Sequence, residues 1–187
     1  LPFHNHSASA VITHASRSGK LTINNEVLLV DSLTCRLVDL KKDMNKEELK
    51  HYLPHREPML LVDEVTIDEN HVAHSKYHVT GEEFFLKGHF PGRPTVPGVI
   101  LCEIMAQSCA LLMLDDLKGK ITLYTGIDNV RFKSQVVPGD TIEVEASLSS
   151  QRANMYFCEA KATVNGKLCV KGSLSFALIE DTRKENE

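Results

Sequence analysis

Apolar and polar residues alternate through residues 140–150, 155–164 and 168–178, the two-residue period of strands with one buried face. Residues 121–132 share that β-branched character, and 59–67 and 72–79 form an earlier pair separated by the turn cluster Asp68-Glu69-Asn70. Asn165-Gly166, between the last two segments, is a two-residue hairpin signal. The pattern changes at residues 96–114, which are almost continuously apolar and predict one long helix from Gly98 to Leu114. Pro91, Pro94 and Pro97 fall every third residue before it, which forbids helix and describes a stiff, extended loop. A shorter helix over 46–52 opens on Asn45-x-x-Glu48, the form of a capping box, and stops at Pro54. One long apolar helix and roughly six strands, mostly in hairpins, predict an α+β protein with a mostly antiparallel sheet wrapped around the helix. One small sheet closes poorly around so apolar a helix, so dimerisation is expected to bury what remains.

Composition narrows the class. The 187 residues are 42% hydrophobic and 25% charged, which excludes wholesale disorder and fits a single main domain. A net charge of −4, no tryptophan and 6% aromatics argue against a nucleic-acid surface. The apolar run carries Glu103 near its middle and is bounded by proline and Asp115-Asp116, so a buried helix fits it better than a membrane span. Five cysteines, Cys35, Cys102, Cys109, Cys158 and Cys169, include no C-x-x-C pair and sit among apolar neighbours, as reduced thiols of a cytosol-like compartment do.

Residues 1–43 differ from the rest. The first 25 contain no acidic residue and are rich in serine, threonine and histidine. A tag, a transit peptide and a genuine extension all fit that composition, and residues 26–40 have enough apolar and β-branched content for a strand or two. The expectation is a non-essential extension over 1–43 followed by the functional domain over 44–187. A cytoplasmic location is the default, and a plastid-type organelle the alternative if the extension is a transit peptide.

Candidate chemistry concentrates in Gly88-His89-Phe90-Pro91-Gly92-Arg93-Pro94-Thr95-Val96-Pro97-Gly98. A proline-stiffened loop presents His89 and delivers the chain into a helix whose first residue is Gly98. Free N–H groups at that helix start lie at the positive end of its dipole and, with no side chain at Gly98, can polarise a carbonyl. Glu103 follows inside the helix, with Gln107 one turn on along the same face. A carboxyl among Leu101, Ile104, Met105 and Ala106 needs a partner or a proton, a setting common for catalytic acids. Alone, His89 reads as a hydrogen-bonded loop histidine and Glu103 as an interface carboxylate. Together they point to acid–base chemistry.

The string GHFPGRPTVPGVILCEIMAQ resembles the signature of the FabZ-type (3R)-hydroxyacyl-(acyl-carrier-protein) dehydratases, and LPHREPMLLVDEV and GIDNVRFKSQVVPGD resemble that family's two other characteristic stretches. The resemblance covers residues 45–180 and none of 1–43. It implies a hotdog fold, homodimers commonly gathered as three dimers in a hexamer, no cofactor, and dehydration of a 3-hydroxyacyl thioester in type II fatty acid synthesis. It assigns the catalytic base to His89, the acid to Glu103, the thioester-carbonyl donor to the Gly98 amide and a site glutamine to Gln107, with base and acid drawn from opposite subunits. Glu57 departs from the pattern, standing where an aromatic is frequent. The resemblance further implies an acidic carrier protein as partner. For a chain that is itself acidic, docking calls for local cations, and Lys87, Arg93, Arg131 and Lys133 flank the motifs. Phe84, Phe85, Phe90 and Met105 are candidate lining for an acyl tunnel, or ordinary core.

Other readings weigh less. His71, His74 and His78 have the spacing H-x-x-H-x-x-x-H, but residues 71 and 74 fall on opposite faces of a strand, against a metal site. His51 and His55 are separated by Pro54, which breaks helical spacing. A dehydratase that also isomerises trans-2 to cis-3 products is the nearest enzymatic alternative, although the isomerising FabA class carries aspartate where Glu103 stands. A non-catalytic thioester-binding module is disfavoured by the intact pair.

Overall fold

The computed structural model describes residues 42–182 in full and, before them, the backbone of three strands. These are β1 (Ser18–Ile23), β2 (Glu26–Asp31) and β3 (Thr34–Asp39), an antiparallel sheet in the order β1-β2-β3 within a compact unit Leu1–Lys41. The strands expected within residues 26–40 are present. The other readings of the first 43 residues fall largely outside the described part.

The second unit, Lys42–Glu187, contains β4 (Lys42–Asn45), α1 (Lys46–Leu49), β5 (Glu64–Ile67), β6 (Val72–His78), α2 (Gly98–Ala110), β7 (Lys120–Phe132), β8 (Thr141–Arg152), β9 (Met155–Val164) and β10 (Lys167–Glu180). Its seven strands form one antiparallel sheet in the order β4-β5-β6-β8-β9-β10-β7. Alternation becomes burial directly: in β8, Ile142, Val144 and Ala146 are buried while Thr141, Glu143 and Glu145 face solvent. The β9–β10 turn places Asn165 at φ 50° and Gly166 at φ 75°, the two left-handed residues such a hairpin needs. α2 packs on β6, β8, β9 and β10, and nine of its residues are buried, so its apolar character on all sides is matched by its surroundings. This is the hotdog arrangement of a mostly antiparallel sheet around one central helix.

Four details depart from the sequence expectation. The α-helix ends at Ala110, and Leu111–Met113 continue as a tighter 3-10 turn. The first helix is a single turn, capped as expected by Asn45, whose side chain accepts from the Glu47 and Glu48 amides while Glu48 bonds back to the Asn45 amide. β4, four residues long with one apolar side chain (Met44) between charged and polar neighbours, carries no recognisable strand signal, yet it pairs with β5. The expected strand over 59–67 begins only at Glu64. Leu60, Leu61 and Val62 are buried, but as irregular backbone. A side chain from α2 satisfies that backbone in place of a ladder.

Because the chain crosses from β6 through α2 to β7, β7 lands at the far edge of the sheet, paired only with β10. Leu123, Ile127 and Phe132 are about half exposed along this edge. Among the described residues no helix is long and apolar enough to cross a membrane. Cys102, Cys109, Cys158 and Cys169 are free and buried.

Candidate active site

The loop before α2 owes its shape to left-handed residues in alternation: Gly88 at φ 86°, Phe90 at φ 58° and Gly92 at φ 79°. Glycine takes that conformation freely, whereas Phe90 holds it at a cost of about 1–3 kcal/mol. Turn bonds from His89 N to Leu86 O and from Arg93 N to Phe90 O close the coil. Thr95 and Val96 then dive into the protein, where Val96 N bonds Val136 O at 2.9 Å. His89, half-buried at the turn of this coil, approaches Thr95 O through Nδ1 at 2.7 Å. A carbonyl only accepts, so Nδ1 donates, and in the neutral ring Nε2 carries the lone pair.

Pro97 caps α2 without a side-chain bond, and its carbonyl accepts from the Ile100 and Leu101 amides. The Gly98 amide, at the first helical position, has no partner among the described residues. Its surroundings explain the glycine: a Cβ there would stand 2.9 Å from the Phe132 ring. The sequence offered no signal for this contact, which joins the end of β7 to the start of α2.

Glu103 projects from the second turn of α2, half-buried, and Gln107 Nε2 donates to its Oε1 at 3.0 Å. Gln107 is 1% exposed, and its amide is fully engaged within the protein: Nε2 also donates to Met59 O at 2.7 Å, and Oε1 accepts from Leu61 N at 2.8 Å. Gln107 thus ties the irregular 59–61 segment to the helix and aims Glu103, and no donor is left over for a substrate. Tyr124 of β7 donates to Cys102 O at 2.9 Å beside Glu103, and burial followed by the Glu103 charge pushes its phenol well above the usual value.

Among the described residues no hydrogen bond or ion pair joins His89 to Glu103 within one chain. The candidate docking cations are all exposed but differently placed. Lys87 and Arg93 lie in the loop before α2, where Arg93 reaches Gln135 at 3.4 Å. Lys133 follows β7. Arg131 pairs in register with Lys171, and Lys171 with Lys161, on the sheet face turned away from α2. Met105 is a buried core residue of α2 itself, while Phe84 and Phe90 are exposed and Phe85 is buried. His71, His74 and His78 face separate partners, Leu112 O, Asp68 and Thr141, and no cluster of histidine, cysteine or carboxylate side chains suited to a metal occurs among the described residues.

Comparison with known proteins gives this geometry a context. The model of the FabA-like domain family matches residues 53–173. The 3-hydroxyacyl-(acyl-carrier-protein) dehydratase FabZ of Clostridium perfringens (strain SM101 / Type A) is 46% identical over 138 residues, 72% of this chain and 99% of that protein. The enzyme of the same name from Lactococcus lactis subsp. cremoris (strain MG1363) is 45% identical over 139 residues, 73% of this chain and 96% of its own. Among solved structures, the dehydratase heterocomplex ApeI:P of Xenorhabdus doucetiae superposes with a TM-score of 0.62 at 22% identity, over 74% of this chain and 97% of that one. The fluoroacetyl-CoA thioesterase FlK gives 0.54 at 18% identity, over 61% and 89%, a likeness of fold alone. The chain belongs to the FabZ family of 3-hydroxyacyl-(acyl-carrier-protein) dehydratases, within the FabA-like domain family.

Proposed function

We propose that this chain dehydrates (3R)-hydroxyacyl thioesters presented on acyl carrier protein, with His89 as base, Glu103 as acid and the Gly98 amide as oxyanion donor. The observation that carries the reading is the His89 Nδ1–Thr95 O bond, which leaves the Nε2 lone pair available in the neutral ring. The C2 proton of a thioester is weakly acidic, so its removal also needs donors at the enolate oxygen. An uncapped helix start, stripped of a side chain at Gly98, meets that need and is typically worth about 3–4 kcal/mol of barrier. Glu103 protonates the departing C3 hydroxyl, and water leaves. The base takes the C2 proton, the C2–H electrons become the new double bond, and the C3–O electrons leave with the hydroxyl.

The working unit in this reading is a homodimer. His89 and Glu103 do not meet in one chain, and the 13-residue edge strand β7 offers apolar side chains and unpaired backbone to a second copy. Three such dimers would form the hexamer implied by the family resemblance. Residues 1–43 stand outside the catalytic unit, a reading supported by the family match beginning at residue 53. The exposed cations Lys87, Arg93, Arg131 and Lys133 supply the carrier-protein contact, with affinity falling as salt rises.

The test is incubation of purified protein with 3-hydroxyacyl carrier protein, with product mass and double-bond position identified. A trans-2-enoyl product, abolished by His89→Ala, is expected; a full rate in that variant discards the assignment. Ile127→Glu, placing a charge in the middle of β7, is expected to yield monomers in sedimentation. An unchanged oligomer would put the interface elsewhere.

A further inference from the structure

The segment before β5 brings one more titratable side chain to Glu103. His55 Nε2 stands 3.4 Å from Glu103 Oε1, with the two side chains 27% and 22% exposed. His55 Nδ1 is buried without a hydrogen-bond partner, the one side-chain nitrogen or oxygen so placed among the described residues. A buried ring nitrogen that carries a hydrogen nothing accepts is costlier than one that keeps a bare lone pair. The neutral ring therefore keeps Nδ1 bare and carries its hydrogen on Nε2, facing Glu103. Burial favours that neutral ring, lowering the His55 pKa from 6.5; the Glu103 charge opposes the shift and Arg56 adds to it.

The Glu103 carboxyl is consequently asymmetric. Oε1 faces two nitrogens, from Gln107 at 3.0 Å and His55 at 3.4 Å, while Oε2 has no protein partner among the described residues. We propose that His55 is a positioning residue for the acid: its Nε2–H holds Oε1, confines the transferable proton to Oε2, and stabilises the carboxylate left after protonation of the leaving hydroxyl. In that step the Oε2–H bond breaks, its proton goes to the C3 oxygen, and its electron pair stays on a carboxylate already faced by two N–H donors. At 3.4 Å the approach is an electrostatic contact rather than a hydrogen bond in the resting geometry; in the proposal it closes to one as negative charge develops on the carboxylate. The inference rests on Glu103 being the acid.

Other charged or titratable groups around the pair are Arg56 on its own segment, Cys102 on α2 and Tyr124 on β7. Arg56 is anchored to Leu53 O at 2.9 Å and His55 O at 2.7 Å. Burial raises both the Cys102 thiol and the Tyr124 phenol, so neither ionises across the neutral range.

The test compares kcat against pH for the full-chain enzyme, His55→Phe, His55→Asn, and each in the Glu103→Gln background. His55→Phe is expected to lower kcat about ten- to a hundredfold at nearly constant KM. It should also move the alkaline limb of the profile to higher pH, because a donor favouring the carboxylate is gone. His55→Asn, which keeps an N–H, recovers part of the rate. In the Glu103→Gln background, His55→Phe changes the residual rate by no more than about twofold. A fall in kcat with an unmoved limb and no gain from asparagine, or an undiminished effect in the Glu103→Gln background, overturns the proposal. Full activity of Glu103→Gln alone overturns the acid reading instead, so the two failures are distinguishable. Circular dichroism checks each variant, and if the phenylalanine protein does not fold, His55→Ala must move the same limb.

Discussion

The two halves of the proposed site are built in opposite ways. Glu103 sits in the middle of a helix buried on nearly every side, held by Gln107, which also binds the backbone at Met59 and Leu61. His89 sits on an exposed coil whose geometry comes from backbone conformation, with left-handed residues at 88, 90 and 92 and His89's own side-chain bond to Thr95 O. One half is aimed by packing, the other by dihedral angles. Substitutions on the helix side should therefore cost stability and activity together, while those on the loop side should cost activity alone.

His89→Ala gives the largest expected effect on that contrast: a loss of about 10²–10⁴-fold in kcat. Its stability loss should not exceed about 1 kcal/mol, the worth of one hydrogen bond, read from the urea midpoint. A large fall in midpoint would erase the distinction between the halves. Gln107→Ala should show the reverse balance, orphaning Leu61 N and Met59 O and leaving a buried gap, for about 2–4 kcal/mol of stability, with a smaller drop in kcat. Gly98→Ala tests the seam between them. Its Cβ would meet the Phe132 ring at 2.9 Å, so about tenfold in kcat/KM should be lost, and Phe132→Leu in the same chain should restore much of it. If relief fails, the glycine matters for its amide environment rather than for the ring.

The smallest effect is one of pH on stability. Burial holds the His55 pKa below its ordinary 6.5, so in acid the unfolded chain binds the proton more readily. Stability is complete above that value and falls as pH drops from about 7 to 5, and His55→Asn should flatten this slope in urea titrations. An unchanged slope would mean that other histidines set it.

Much of this molecule could be read from residue order. The alternation of β8, β9 and β10, the Asn165-Gly166 turn, the Asn45 cap and the apolar helix are local patterns, and each appears where its pattern lies. His89, Gly98 and Glu103 stood out because proline, glycine and a carboxyl in apolar company are unusual locally. What escaped is tertiary. Residues 59–62 look like strand because they are apolar, but their partner is a side chain from α2, which no periodicity reveals. His55 carries no local signal because Pro54 spoils its spacing to His51, and helical spacing says nothing about a helix 48 residues on. Phe132 looks like any strand residue until β7 is seen at the sheet edge, its ring against Gly98.

The Leu61 amide gives the site an unplanned observer. Its hydrogen is held by the same side chain that aims Glu103, the proposed acid, so solvent can exchange it only when Gln107 lets go. The isotope-exchange rate of that one proton, followed in the resting enzyme without substrate, therefore measures how often the carboxyl loses its aim. Catalytic readiness becomes a quantity that can be watched in a protein doing no chemistry at all.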